Sequence, residues 1–268
     1  MPLPFALDHV NLWLIKDGAG WTAVDTGIAL DGVKDCWRQL LPDYPLQRQI
    51  VTHFHPDHLG LAGWLQQETQ APLWMTQGEY LTAHMVCEQF GGYGIPAMLA
   101  LFLRHGLDDG RAAALAERGN AYKRNLSEIP ATYHRLFDGQ DFSVGDHAWR
   151  VIAGYGHSPE HAALYCDDLK LLISGDMLLP RITTNVSGVA SDPDGNPLGL
   201  FLDSIARFKQ LPADTLVLPS HGKPFRGLHA RIAALEQHHA ERCAELLDSI
   251  EHPTTAAELM PEQFTRPL

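Results

Sequence analysis

An α/β fold is the class this sequence predicts, and three observations carry the prediction. Short β-rich runs recur at 10–15, 20–24, 47–51, 71–75, 149–153, 162–166, 170–174 and 215–219, and segments with helical spacing lie between several of them. Between about 79 and 126 that rhythm stops and the pattern turns mostly helical, so a helical insertion is expected there. Finally, several of the β-rich runs end in histidine and aspartate, which would gather ligand-type side chains at strand ends.

Composition bounds the rest. With 268 residues, 45% of them hydrophobic, the chain can bury a sizeable core as one large domain or two small ones. A formal net charge of -12 leaves no electrostatic footprint for nucleic acid or anionic lipid, so neither is expected as a partner. Cys36, Cys87, Cys166 and Cys243 are scattered without a C-x-x-C pair and read as free thiols of a reducing compartment, which predicts a cytoplasmic location. Residues 1–9 show no basic segment followed by a long apolar run, and no 18-residue apolar stretch follows, so neither a signal peptide nor a membrane span is expected.

The runs at 10–15 and 20–24 flank Asp17-Gly18 and predict a hairpin. The second run ends in Val24-Asp25-Thr26-Gly27, by itself an ordinary turn. Helical spacing over 31–41 stops at 42–45, and the strand at 47–51 then feeds the densest feature of the chain, His53-Phe54-His55-Pro56-Asp57-His58. On an extended chain His53, His55 and Asp57 share a face, and Pro56 keeps His55 out of the helical region. His58 then sits where the chain turns into a helix near 59–68, so its side chain can aim where an extended residue could not. Imidazoles and a carboxylate so arranged suit zinc, iron or manganese better than calcium or magnesium. The competing reading, a histidine-rich loop with Asp57 as a helix cap, leaves four ligand-type residues in six positions without a purpose.

The strand at 71–75 precedes the insertion, which is broken at 91–96 and around Gly106. It either caps the site, in which case it should govern substrate choice more than metal content, or forms a peripheral helical hairpin used for packing or homodimer contacts. A turn-rich segment at 139–146 and a strand at 149–153 lead to Gly156-His157-Ser158-Pro159-Glu160-His161. The hairpin of 162–166 with 170–174 ends in Gly175-Asp176. Residues 177–198 read as a loop at the same edge, from which Arg181, Asn185 and Asp192 are candidate substrate contacts. After a helix at 200–211, the last strand delivers Ser220-His221-Gly222. A polar-faced helix from 228 to about 251, carrying His238 and His239 as solvated residues, and the start of another near 253–259 make a helical tail. The expected division is 1–227 and 228–268.

The 53–58 run resembles the HxHxDH signature of the metallo-β-lactamase superfamily. Residues 156–161 resemble its GHTPGH-like motif with Ser158 for Thr and Glu160 for Gly, and 220–222 resemble its final histidine motif with Ser220 for Gly. Val24 to Gly27 and Gly175-Asp176 complete five motif regions in family order over residues 10 to 225. The branch the chain most resembles is that of the hydroxyacylglutathione hydrolases and β-lactamase-like protein 2. This resemblance implies a four-layer αβ/βα sandwich with two divalent transition metals, zinc first. His53, His55 and His157 would hold one ion and Asp57, His58 and His221 the other. Asp176 would lie between them, with Asp25 and His161 as supporting residues. It implies a hydrolase in which Asp57 and Asp176 are catalytic, acting on a small acyl substrate, thioester before lactone or other ester. A mononuclear iron persulfide dioxygenase, a phosphodiesterase or ribonuclease, and a metal-binding regulatory protein remain as alternatives.

Overall fold

Every residue of the strand at 161–166 is buried, because the strand lies in the middle of a sheet covered on both faces. Its side chains alternate: Ala162, Leu164 and Cys166 enter one core, while Ala163 and Tyr165 enter another. The computed structural model describes residues 1–4 and 7–263, and in it that strand is β8, the centre of the second of two sheets.

The first sheet runs in the order β1 (Trp13–Asp17), β2 (Gly20–Val24), β3 (Leu46–Ile50), β4 (Leu73–Thr76) and β5 (His134–Leu136). The β1–β2 pair is antiparallel and the others are parallel. The second sheet runs β10 (Leu216–Pro219), β9 (Leu171–Gly175), β8 (His161–Cys166), β7 (His147–Gly154) and β6 (Asp141–Val144), and is antiparallel except between β9 and β10. Val24, Ile50 and Leu136 of the first sheet meet Trp149, Val151, Leu164 and Ile173 of the second.

Outside the first sheet lie α1 (Asp31–Leu40), the single turn α2 (Pro56–Leu59) and α3 (Ala62–Thr69). Val33, Trp37 and Leu65 pack there on Ala23 and Leu46. Outside the second lie α8 (Pro197–Arg207) and α9 (Leu228–Ser249), whose Phe201, Ile205, Leu228, Ile232 and Leu235 cover Ala163, Tyr165, Leu172 and Val217. The result is the expected helix–sheet–sheet–helix sandwich. Truncating Leu65, Ile205, Ile232 or Leu235 to alanine costs about 2–5 kcal/mol.

The insertion is α4 (Gln77–Cys87), a one-turn segment at Gly91–Tyr93, α5 (Ile95–Arg104), α6 (Asp109–Glu117) and α7 (Ala121–Arg124). Tyr80, Ala83, Tyr122 and Leu126 pack with Val51, Leu59 and Met75 beneath the histidine-rich loop. At its other side Arg104 pairs with Asp194 at 2.9 Å, and a Cβ on Gly92 would stand 2.6 Å from Ser191 Cα. The insertion therefore abuts the histidine-rich loop and the loop at 177–196 that precedes α8.

Some expectations need correction. β5 is an extra strand: its three residues have only Leu136 buried, too little for any alternation to be read. Asp57 does not continue an extended chain with His53 and His55 but lies in α2, beside His58. From 228 on the described chain is mainly helical, and Leu228, Ile232 and Leu235 of α9 pack into the core against the second sheet. The tail continues as α10 (Ala256–Gln263), and residues 264–268 of it lie outside the described residues. Among the described residues no helix is long and apolar enough to cross a membrane, and all four cysteines are free.

Candidate metal centre

β3 ends at Ile50 and the chain bends through 51–55 before α2, so the histidines leave a strand end at the seam of the two sheets. Pro56 starts α2, and His55 before it is held extended at φ -59°, ψ 149°. The loop after β7 brings His157, the end of β9 brings Asp176, and the end of β10 brings His221. All seven expected ligands thus come to one place.

They form three overlapping groups whose ligand atoms lie within 4.8 Å of one another: His53, His55 and His157; His53, His58 and Asp176; and Asp57, His58 and His221. In the first, His53 Nε2 stands 2.9 Å from His55 Nδ1 and 3.1 Å from His157 Nε2. In the last, Asp57 Oδ2 stands 3.5 Å from His58 Nε2 and 3.4 Å from His221 Nε2. Asp176 faces both: Oδ2 is 3.5 Å from His157 Nε2, and Oδ1 is 3.6 Å from His58 Nε2 and 3.5 Å from His221 Nε2. Donors about 2.0–2.1 Å from a shared ion stand roughly 3.3 Å apart in a tetrahedron, which is the scale of these separations.

The outer ring nitrogens show which lone pairs are free. His157 Nδ1 donates to the Asn185 carbonyl at 2.7 Å and His221 Nδ1 to the His9 carbonyl at 2.8 Å. His58 Nδ1 donates to Asp25 Oδ2 at 2.8 Å. Thr52 Oγ1 has one proton, which goes to Asp25, so it accepts from His53 Nδ1 at 3.0 Å. In their neutral forms these four rings therefore present bare Nε2 atoms to the same small space. His58 Nε2 and Asp176 Oδ1 are buried there without any partner, a costly arrangement unless a cation is held. The donor set fits a pair of divalent transition ions.

Charge in the metal-free site divides accordingly. Burial pushes His53 far below the ordinary histidine range and His55 down to about 3, with neighbouring imidazoles adding to the effect. Burial also lowers His157, although Asp176 opposes it. Burial works against charge on His58 and His221 too, but Asp57, Asp25 and Asp176 outweigh it at His58, which is raised, and Asp176 and Asp57 lift His221 to about 9. Burial would raise Asp57 and Asp176, yet His58 and His221 hold both below the usual carboxylate range. His53, His55 and His157, the first group, are thus a neutral nitrogen cradle, and Asp57, His58 and His221, the second group, are an ion-paired one.

Asp25 lies against His58 at the edge of the site. Fully buried, and in the left-handed region at φ 65°, it accepts from Thr52 N at 2.7 Å as well as from His58. His161 is no member of the three groups: its Nε2 accepts the Asp176 N–H at 3.2 Å and so fixes the backbone that carries Asp176. Gly175 makes this possible, because at φ 52° a Cβ would stand 2.3 Å from His161 Nε2. Of the expected substrate contacts, Arg181 and Asp192 are exposed on the loop, which spans 177–196 because α8 already begins at Pro197. Asn185 acts on the site through its carbonyl, while its exposed side chain accepts from Ser187 Oγ.

Sequence reasoning missed Glu79. It is fully buried in the first turn of α4 and accepts from Phe54 N at 2.8 Å, Ser158 Oγ at 2.6 Å and Glu160 N at 2.6 Å. Burial pushes its carboxyl up to about 7 while those three donors pull it back. Thr76-x-x-Glu79 matches a capping box, so the available signal pointed to a helix start. Tyr122 was missed too; its hydroxyl donates to the Phe54 carbonyl at 2.7 Å.

Comparison with known proteins adds the family. The model of the metallo-beta-lactamase superfamily matches residues 6–221. The crystal structure of a beta-lactamase domain protein from Burkholderia ambifaria is similar at a TM-score of 0.91 and 44% identity, covering 100% of this chain and 79% of that one. The probable metallo-hydrolase YqjP of Bacillus subtilis is 25% identical over 98% of this chain and 83% of its own length. A hydroxyacylglutathione hydrolase of Rhodobacter capsulatus is 26% identical over 82% of this chain and 64% of its own length.

Proposed function

The chain belongs to the metallo-beta-lactamase superfamily, and on that premise we propose that it is a dinuclear metal-dependent hydrolase of small acyl thioesters. One observation carries the reading: Asp176 turns one carboxylate oxygen to the first histidine group and the other to the second, with Oδ1 and His58 Nε2 buried and unpartnered. His53, His55 and His157 would hold one ion, Asp57, His58 and His221 the other, and Asp176 would bridge them. When bound, such a pair supplies an activated water and polarises the scissile carbonyl. Zinc is the favoured metal, with iron and manganese compatible with the same donors.

The chain's own residues supply the order around that chemistry. Asp25 and the carbonyls of His9 and Asn185 each hold an imidazole in the tautomer that leaves Nε2 free. His161 fixes the backbone of Asp176. Asp57 and Asp176 would offset part of the charge of two divalent cations. Arg181 is proposed to meet an anionic part of the substrate from the 177–196 loop. The thioester preference draws support from the relative named a hydroxyacylglutathione hydrolase, and the net charge of -12 weighs against RNA.

A hydrolysis panel of thioester, lactone, carboxylic ester and phosphodiester tests the proposal on protein stripped of metal and then restored with zinc, iron or manganese. Thioester turnover should vanish on chelation and return with zinc. Turnover of the phosphodiester alone would refute the substrate class. Oxygen consumption with a persulfide in the iron form, without hydrolysis, would refute the reaction class.

A further inference from the structure

The motif at 156–161 departs from the family pattern at two positions, and both meet the same short segment, 76–79. Ser158 donates through its hydroxyl to Glu79 Oε1. Glu160 donates its N–H to that same oxygen, accepts the Gly78 N–H on its own Oε2 at 2.7 Å, and accepts the Thr76 hydroxyl on its carbonyl at 2.6 Å. The other oxygen of Glu79 accepts from Phe54 N, the peptide between His53 and His55. One fully buried carboxylate therefore ties the loop carrying His53 and His55 to the loop carrying His157.

These three histidines are the whole of the first group. The second group is held by other means: His58 by Asp25, and His221 by the His9 carbonyl. Tyr122, from the far end of the insertion, grips the carbonyl of the same Phe54 whose N–H Glu79 holds. Both ends of the insertion thus bear on the first group.

We infer that Glu79 is a positioning residue that sets the separation of the two histidine loops and thereby the affinity of the first metal group, largely independently of the second. The inference rests on the metal-site reading above. A carboxylate is the right group because it offers lone pairs on both oxygens and no hydrogen, and all three partners are donors. Glutamine keeps the shape but turns an NH2 toward at least one of them, leaving buried donors facing a donor. The insertion thereby takes a part in metal retention, where the sequence pointed to substrate choice.

The test measures zinc affinity by competition with a chromophoric chelator, in two backgrounds that isolate the groups. His221→Ala leaves the first group intact and His157→Ala leaves the second. Glu79→Gln should weaken zinc about 10- to 100-fold in the first background, the range for a residue that orients a ligand, and less than threefold in the second. Ser158→Ala removes one donor and leaves the carboxylate in place, so it keeps the test open should Glu79→Gln not fold. It should weaken the first group in the same direction but less, and combined with Glu79→Gln it should add little. Equal losses in both backgrounds, or no loss in either from both Glu79→Gln and Ser158→Ala, would overturn the role of Glu79 while leaving the metal site standing. A wild-type protein that binds no zinc would overturn both.

Discussion

Changing Asp25 to asparagine probes how a residue that touches no metal controls one. The carboxylate accepts from Thr52 N and Thr52 Oγ1 on Oδ1, and from His58 Nδ1 on Oδ2. Asparagine can keep its oxygen toward the Thr52 N–H, and its NH2 then points at His58 Nδ1 across about the same 2.8 Å. Two donors cannot share that contact, so His58 must surrender its Nδ1 proton and carry it on Nε2, the atom turned to Asp57 and Asp176. The expected loss in affinity of the second group is about 10- to 100-fold, equivalent to roughly 1.4–2.7 kcal/mol. Zinc competition in the His157→Ala background reads it, and a thermal melt of the metal-free variant shows that the fold is kept. Undiminished affinity in a folded Asp25→Asn protein would refute the tautomer argument.

Asp176→Ala should fold, since a strand-end ligand is not core, yet lose at least ~100-fold in turnover and hold less metal; near-normal turnover with full metal content would remove it from the bridge. Gly175→Ala should lower the metal content, because the added Cβ displaces the His161 ring that accepts the Asp176 N–H; unchanged content would show the ring to be dispensable. In the metal-free protein, His221 is lifted to about 9 by Asp176 and Asp57 against the effect of burial. A folded value raised above the unfolded one gives stability that is complete below about 6.5 and lost as pH rises through 9. Metal-free protein should therefore lose melting temperature between pH 6 and pH 9.5, by more than His221→Ala does; equal slopes would contradict the ion pairs assigned to His221.

The candidate ligands were legible because six residues carry four of them and the remaining three follow β-rich runs in a fixed order. Local density and chain order survive folding. What surrounds the ligands was less legible, for reasons that differ by residue. The carbonyls of His9 and Asn185 orient His221 and His157 through backbone atoms, which any residue type could supply. Glu79 sits where a capping acid would sit, and only the approach of the loop at 158–160 shows that its oxygens are engaged elsewhere. Alternation along an extended chain groups Asp57 with His53 and His55, but Pro56, which keeps His55 extended, itself opens the helical turn that carries Asp57. β5 pairs only through His134, Arg135 and Leu136 with β4, and three residues with one inward side chain carry no period.

Metal stoichiometry tests the central claim most directly. Protein stripped by chelation, then reconstituted with excess zinc and desalted, is analysed for metal per chain beside the His221→Ala and His157→Ala variants. Two ions held by His53, His55 and His157 and by Asp57, His58 and His221, with Asp176 between, predict two equivalents in the wild type and one in each variant. One equivalent or none in the wild type, after reconstitution with zinc, iron and manganese in turn, would contradict it.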